Sequence, residues 1–305
     1  MRGSIFPACD EATMTWFRKL FRLAPSATLD LLGPPATCVP GDTLPVEVRL
    51  TPGEDVTPRQ VRVELAGRED YYVEVESRDS NNRGSTKSIQ KRTRVFQSVV
   101  QVVHEAGLLG KGVEQCWSAS LQVPPNAVVS SKGKYVDVRW VVRAVVDMAG
   151  RGDAAREQPI VVLAPAPADA PQAAQIEPLE EGTLTLEIPR ADLAAGETVE
   201  GVLRIEAASP PQVRGIRVEL VRSEYAAARK IDEVVAHQAF PTGSPSYSFA
   251  LVLPPGAPPS SLGGGNSRLL WLVRGVLDRP MRSDFQVQTY VQVHNAPPAG
   301  PAQSG

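Results

Sequence analysis

The chain has 305 residues, of which 42% are hydrophobic and 6% aromatic, and its formal net charge is −2. This length fits two domains that each bury a core. The near-neutral charge argues against nucleic acid as a partner, and no apolar run approaches the ~18 residues of a membrane span. The three cysteines are odd in number and share no metal-ligand spacing, so we expect reduced thiols in a cytoplasmic protein. We expect Cys38 and Cys116 to be core or strand residues rather than reactive thiols.

The first predicted element is a short amphipathic helix over residues 14–24, ended by Pro25 and Ser26. Its candidate contact residues fall on an apolar and a basic face, formed by Trp16, Phe17, Leu20 and Phe21 and by Arg18, Lys19 and Arg22. Three turns are too few for a helix that is stable alone. The helix therefore predicts a contact with a membrane surface or a partner, and the alternative is that its apolar face packs on the neighbouring domain. Residues 1–13 lack the pattern of a signal peptide, and Met14 is an alternative start.

From Thr28 onward, apolar residues alternate with polar ones, as in strands with one buried and one solvated face. Turn signals at Pro40-Gly41-Asp42 and Pro52-Gly53-Glu54 separate the first strands. In the first half, strands are predicted over residues 46–50, 61–65, 71–75, 95–103, 118–123, 136–146 and 160–163. Trp140 shares the parity of the valines around it, so we expect it in the core.

Residues 77–94 interrupt the alternation with a polar, basic stretch. It contains one acidic residue, Asp79, and six basic ones, Arg78, Arg83, Lys87, Lys91, Arg92 and Arg94. We expect a mobile loop, because large apolar side chains are nearly absent. The six cations are candidates for binding an acidic or phosphorylated partner, and the alternative is a solvated excursion between two strands. No aromatic residues interleave with them, so a surface for single-stranded nucleic acid is disfavoured.

Residues 164–175 are rich in Pro and Ala and predict an extended linker. Alternating strands resume behind it, over residues 183–188, 198–206, 212–223, 231–240, 247–253, 268–277 and 285–293. Residues 295–305 are rich in Pro, Gly and Ala, and we expect them to be disordered.

The second half repeats the motifs of the first. Gly41-Asp42-Thr43 begins 21 positions before Arg62-Val63-Glu64-Leu65, and Gly196-Glu197-Thr198 begins 21 positions before Arg217-Val218-Glu219-Leu220. A later block also recurs, with a Pro-Pro pair, a Ser-Ser pair and a long strand that contains Trp and ends in Asp. Two matching blocks in one order predict two copies of one domain.

We therefore predict an all-β chain of two tandem, immunoglobulin-like antiparallel β-sandwich domains behind a short amphipathic helix. The predicted boundaries are residues 1–26 for the N-terminal segment, 27–164 for the first sandwich, 165–177 for the linker, 178–295 for the second sandwich and 296–305 for the tail.

The sequence offers no constellation for catalysis. His104, His237 and His294 are isolated, with no second His or Cys at ligand spacing, so no metal site is predicted. No Gly-Xaa-Ser-Xaa-Gly elbow and no phosphate-binding Gly-Lys loop is present. Gly263-Gly264-Gly265 precedes a predicted strand and is typical of a turn. We predict a non-enzymatic protein without a cofactor or a metal.

The doubled motifs resemble the arrestin fold over roughly residues 28–294. The resemblance rests on the Gly-acid-Thr turns, the Val-Glu-Leu strands, the Pro-Pro and Ser-Ser pairs and the long strands that end in Asp147 and Asp278. Within that clan, Trp16-Phe17-Arg18-Lys19-Leu20-Phe21 resembles the start of bacterial sporulation-control proteins. The second copy and the basic insert depart from that branch. The bias toward Arg, Ala, Pro and Val agrees with a bacterial gene.

The resemblance implies a non-enzymatic scaffold or adaptor that binds a protein partner, in the cytoplasm or peripherally at the membrane. Eukaryotic arrestins bind phosphorylated receptor tails with basic residues of their first domain, and trafficking relatives bind membranes and sorting complexes. The alternative is a β-sandwich that binds a small molecule or a glycan, for which exposed aromatic residues on one sheet would be the signature. Exposed strand edges also leave a homodimer open.

Overall fold

The computed structural model describes residues 27–78, 85–167, 171–207 and 212–295, and in these ranges the chain is all β, without a helix. The strands are, in chain order, β1 Ala27–Leu32, β2 Thr37–Cys38, β3 Thr43–Pro52, β4 Pro58–Arg78, β5 Ser85–Glu105, β6 Gln115–Gln122, β7 Ser131–Lys132, β8 Asp137–Met148, β9 Ala154–Val162, β10 Ala173–Leu179, β11 Gly182–Ile188, β12 Asp192–Ala194, β13 Thr198–Ala207, β14 Gly215–Ala226, β15 Arg229–Phe240, β16 Ser246–Val252, β17 Ser267–Asp278 and β18 Phe285–His294. The prediction of an all-β chain built from antiparallel sheets is confirmed. The predicted helix over residues 14–24 lies outside the described residues.

The described residues form two compact units that differ from a simple division along the chain. Unit 1 comprises residues 27–67, 97–126 and 140–160, and unit 2 comprises residues 68–78, 85–96, 127–139 and 161–295 with its gaps. The far halves of β4 and β5, which form a long hairpin, therefore belong to unit 2. The sandwich boundaries stay a prediction, and the predicted linker, residues 165–177, overlaps β10.

Unit 1 contains a three-stranded sheet in the order β1-β3-β6 and parts of a second sheet in the order β2-β9-β8-β4-β5. β7, which pairs with the start of β8, belongs to unit 2. Alternation decides which side chains are buried. Leu44, Val46, Val48 and Leu50 of β3 are buried, whereas the residues between them are not. Trp140 is fully buried, as its parity predicts. Burial of each of these leucine and valine side chains stabilises the folded state by about 1.5–3 kcal/mol.

Unit 2 contains a four-stranded sheet in the order β10-β11-β13-β16 and a five-stranded sheet in the order β12-β18-β17-β14-β15. One buried apolar cluster joins residues of both sheets, including Leu186 and Leu203 of the first and Leu220, Trp271 and Val287 of the second. Within these two sheets, the described strand pairs are antiparallel except β12 with β18, which is parallel. The two sheets thus form a sandwich around one core.

The Gly-acid turns of the two copies have the same geometry, which explains why both residues recur. Gly41 and Gly196 adopt φ values of +92° and +88°, in the left-handed region that favours glycine. The following carboxylate accepts a hydrogen bond from the backbone N–H three residues before it. Asp42 accepts from Val39 at 2.8 Å, and Glu197 accepts from Ala194 at 2.8 Å.

The Ser-Ser pairs also have equivalent roles in the two copies. The backbone N–H of Ser130 donates to Val162 O, and its hydroxyl accepts from Val162 N at 3.0 Å. Ser260 makes the same two bonds with Val293, the second at 2.9 Å. Each serine therefore bonds a strand two residues beyond the last residue that pairs with the long neighbouring strand, β8 in the first copy and β17 in the second. The doubled motifs reflect doubled structure.

Candidate interaction surfaces

The predicted basic loop over residues 77–94 needs correction, because Ser85–Arg94 is part of β5. The polar stretch forms a strand because acidic residues of β4 lie opposite its cations. Lys87 Nζ lies 2.6 Å from Glu74 Oε1, and Lys91 Nζ lies 2.6 Å from Asp70 Oδ2. Opposite charges across a strand pair stabilise a ribbon that has few apolar side chains.

The remaining predicted contact residues of this stretch fall into two groups. Arg92 donates to the Gln90 side chain at 3.0 Å and is exposed. Arg78 ends β4, while its side chain, together with Arg83, lies outside the described residues. The candidate helix residues, Trp16, Phe17, Arg18, Lys19, Phe21 and Arg22, also lie outside them.

Glu69 of β4 is fully buried and accepts hydrogen bonds from a turn of unit 2. Its carboxylate accepts from Arg94 Nε at 2.6 Å, Gly264 N at 2.8 Å, Asn266 N at 3.3 Å and Ser267 Oγ at 2.8 Å. Arg94 also donates to the carbonyl of Gly264. A buried carboxylate is tolerated only when it is paired and hydrogen-bonded in this way. The Gly263-Gly264-Gly265 turn therefore serves to bind the hairpin.

Asp70 is the second buried carboxylate of the hairpin. Burial acts to raise the pKa of Asp70, but hydrogen bonds from Arg139, Lys91 and Thr93 outweigh it and lower the pKa to about 2. The Thr93 hydroxyl donates at 2.6 Å, and Arg139 Nη1 lies 3.0 Å away. Asp70 is therefore ionised near neutral pH and holds two cations.

These contacts change the interpretation of the basic stretch. Lys87, Lys91 and Arg94 are each neutralised by a carboxylate of β4, so the hairpin does not present them as unpaired cations. A signal for this was present in the sequence, because Glu69, Asp70 and Glu74 stand just before the insert. In an antiparallel strand pair, such acids can lie opposite the cations that follow them, and each opposite-charge pair contributes about 0.2–1 kcal/mol.

A second surface feature, which sequence reasoning missed, is a groove in unit 2 of about 390 Å³. Its lining comes from five separate stretches of chain: Pro171, Gln172 and Ala173; Ala191; Ser260, Ser261 and Leu262; Leu270; and Tyr290, Val291 and Gln292. Leu262 is 73% exposed and Tyr290 is 60% exposed, although both are large apolar side chains. We call this the unit 2 groove.

The two serine hydroxyls of the unit 2 groove already have partners within the protein. Ser260 Oγ accepts from Val293 N, and Ser261 Oγ accepts from Gly263 N at 3.3 Å. Its walls are joined by backbone hydrogen bonds, since Ala191 N donates to Pro171 O at 2.7 Å. The lining contains no charged side chain. The groove is therefore preformed and suited to a neutral, apolar ligand.

Two further properties concern only the part of the chain that the structure describes. It contains no helix long and apolar enough to cross a membrane. It also contains no group of three or more His, Cys, Asp or Glu side chains arranged to hold a metal ion.

The described residues combine β-sandwich sheets with turns that recur in two copies. Comparison with known families shows that residues 28–168 match the model described as the arrestin (or S-antigen) N-terminal domain. This part of the chain is therefore arrestin-like. A search of curated proteins found no match. The family match supports an adaptor or scaffold role in general, since arrestin-family proteins are generally non-enzymatic adaptors.

Proposed function

We propose that the protein is a non-enzymatic adaptor that binds a protein partner through the unit 2 groove. The observation that carries this proposal is the pair of exposed apolar side chains, Leu262 and Tyr290, at a rigid, uncharged groove. Exposed apolar surface of this kind is costly in water and is typical of interaction sites. Tyrosine is also among the residues that contribute most to binding energy at interfaces.

The chemistry of the groove defines the partner. Its lining has no charge and its serines are already hydrogen-bonded, so it favours a neutral, apolar segment of a protein partner over an acidic or phosphorylated one. The hairpin supports an acidic or phosphorylated partner less well than the groove supports an apolar one, because three of the hairpin's cations bind Glu69, Asp70 and Glu74.

The test is quantitative affinity capture from lysate of the source cells, followed by direct binding with the purified candidate. Three baits are compared: the wild type, Leu262→Ser/Tyr290→Ala and Met281→Ser. Met281 is a fully exposed apolar residue in a turn of the same unit, and it serves as the matched control. We expect a protein that binds the wild type and the control alike and binds the groove variant at least tenfold more weakly, about 1.4 kcal/mol.

The other outcomes have distinct meanings. A partner retained equally by all three baits would keep the adaptor role and contradict the groove as its site. A low-molecular-weight ligand that co-purifies with the wild type and the control only would favour the small-molecule or glycan alternative, for which Tyr290 provides an aromatic surface. Failure of the wild type to enrich any protein would contradict the adaptor role.

Location, membrane contact, assembly and relatedness are further parts of the proposal. Reduced thiols and the near-neutral charge support a cytoplasmic protein, which cell fractionation tests. Peripheral membrane contact and a homodimer are tested by co-sedimentation with vesicles and by light scattering. The relation to the sporulation-control branch stays a prediction, which rests on the sequence of residues 16–21.

A further inference from the structure

A rigid loop of unit 1 presents two apolar side chains to solvent. The loop, residues 106–114, joins β5 to β6, and within it Leu108 is 72% exposed and Val113 52% exposed. Between them, Leu109 is buried and exchanges two backbone hydrogen bonds with Val56, of 3.0 and 2.8 Å. Gly112 N donates to Pro52 O at 2.7 Å. The loop is fixed, so the exposure of its apolar residues is a built feature.

A cavity of about 330 Å³ adjoins this loop at the start of β1. Its lining is Ala27, Thr28, Thr51, Pro52, Gly53, Lys111 and Gly112. Ala27 is the first described residue, and the predicted helix over residues 14–24 ends three positions before it. Three residues span at most ~11 Å and an 11-residue helix is ~16 Å long. The chain length therefore keeps the C-terminal end of the segment within ~11 Å of Ala27, which lines the cavity.

Charge complementarity also favours the segment as the occupant. Residues 14–24 carry Arg18, Lys19 and Arg22 and no acidic residue. Three exposed acidic residues lie in or beside the loops around the cavity, namely Asp55, Glu105 at the end of β5 and Glu114, against one exposed cation of the cavity lining, Lys111. Acidic residues around the apolar side chains attract a basic helix and repel an anionic lipid surface.

The second copy of the domain provides an internal control. There the equivalent connection, residues 241–245, has five residues instead of nine and reads Pro-Thr-Gly-Ser-Pro, without a large apolar side chain. The strand equivalent to β1 is β11, and it follows β10 rather than an aromatic, basic segment. The long loop and the amphipathic segment thus occur together in the first copy and are both missing from the second.

We propose that residues 14–24 bind intramolecularly to unit 1, as a helix whose apolar face packs on Leu108 and Val113 beside the cavity at Ala27. This inference goes beyond the adaptor role, because it assigns the segment a place on its own domain. It also identifies the occupant of a surface that nothing else among the described residues covers, since both side chains remain exposed there.

The test uses trypsin, which cleaves after Arg18, Lys19 and Arg22, with cleavage followed by mass spectrometry on the full chain. The loop variant is Leu108→Asp/Val113→Asp. The matched control is Val252→Asp/Leu262→Asp, which changes two equally exposed apolar residues of unit 2. We expect slow cleavage of the segment in the wild type and the control, and cleavage at least about tenfold faster in the loop variant. Circular dichroism checks that each variant keeps its fold, as exposed positions should.

A second readout does not depend on proteolysis. The emission of Trp16, isolated as the difference between each protein and its Trp16→Phe counterpart, should shift to the red only in the loop variant. Equal cleavage rates in the wild type and the loop variant would overturn the proposal. Protection that appears only with phosphatidylglycerol vesicles would identify a membrane as the occupant, and protection that grows with protein concentration would identify a second copy. Both results would also overturn it.

Discussion

Glu69→Gln is expected to destabilise unit 2 far more than Glu74→Gln, although both residues lie on β4 opposite a cation of β5. Glu69 is fully buried and accepts four hydrogen bonds, one from a guanidinium and three from the Gly264 turn. A glutamine has one acceptor oxygen and turns an NH₂ group toward the remaining donors. The Arg94 side chain is 39% exposed and water can solvate its charge, but the donors of the turn lose their acceptor, and a buried donor left unsatisfied costs about 1–3 kcal/mol. We expect a loss of that size for Glu69→Gln.

The matched substitution acts on an exposed pair. Glu74 and Lys87 are each at least half exposed at the side chain, and an ion pair of this kind contributes about 0–1 kcal/mol. The assay is urea unfolding at pH 7, followed by circular dichroism, with hydrogen exchange at Gly264 as a local readout. A difference of less than about 1 kcal/mol between the two variants would refute the reasoning. So would unchanged hydrogen exchange at Gly264 in Glu69→Gln.

Three further predictions concern single residues. Hydrogen bonds hold the pKa of Asp70 at about 2, below its unfolded value of about 3.9. The ionised side chain therefore contributes about 2 kcal/mol to the free energy of unfolding above pH 4, and this contribution is lost as the pH falls through 2. Asp70→Asn should therefore lower the free energy of unfolding at pH 7 and change it little near pH 2; an equal loss at both pH values would contradict this. Gly41→Ala should lower the free energy of unfolding in urea by about 1–2 kcal/mol, because an alanine is strained at this left-handed φ although nothing crowds its Cβ. Gly215→Ala is the control: its Cβ is equally uncrowded and its φ is not positive, so it should lower the free energy of unfolding by less. Burial, and then the negative charge of Asp42, raise the pKa of Cys38 to about 11, so this thiol should react slowly with a thiol reagent at pH 8. Cys116 is a strand residue, as expected, but it is exposed and should react quickly, contrary to the expectation that neither thiol is reactive. With the third cysteine replaced by serine, fast reaction of two thiols would contradict the buried position of Cys38.

Local pattern was enough to predict most strands. β3 and β13 alternate apolar and polar residues, and each pattern matches the burial that the structure shows. Trp140 was placed in the core by parity alone, and that prediction is confirmed. The repeated Gly-acid turns were also informative, because left-handed glycine and a carboxylate that closes the turn are local requirements.

Apolar alternation alone could predict neither the hairpin, whose sequence signal lies in the order of its charges, nor the groove. β5 was mistaken for a loop between residues 85 and 94 because its stability comes from cross-strand charge pairs with Glu69, Asp70 and Glu74 rather than from apolar side chains. The groove joins Pro171, Ala191, Leu262 and Tyr290, which are far apart in the chain, so only the folded sheets bring them together.

Photo-crosslinking in the source cells tests the central claim most directly. A photoreactive benzoylphenylalanine is incorporated at position 290 in the unit 2 groove, and at position 281 as the control. The adaptor account predicts one discrete protein adduct from position 290 that is absent from position 281. No adduct from position 290, or the same adducts from both positions, would contradict a partner-binding site at the groove.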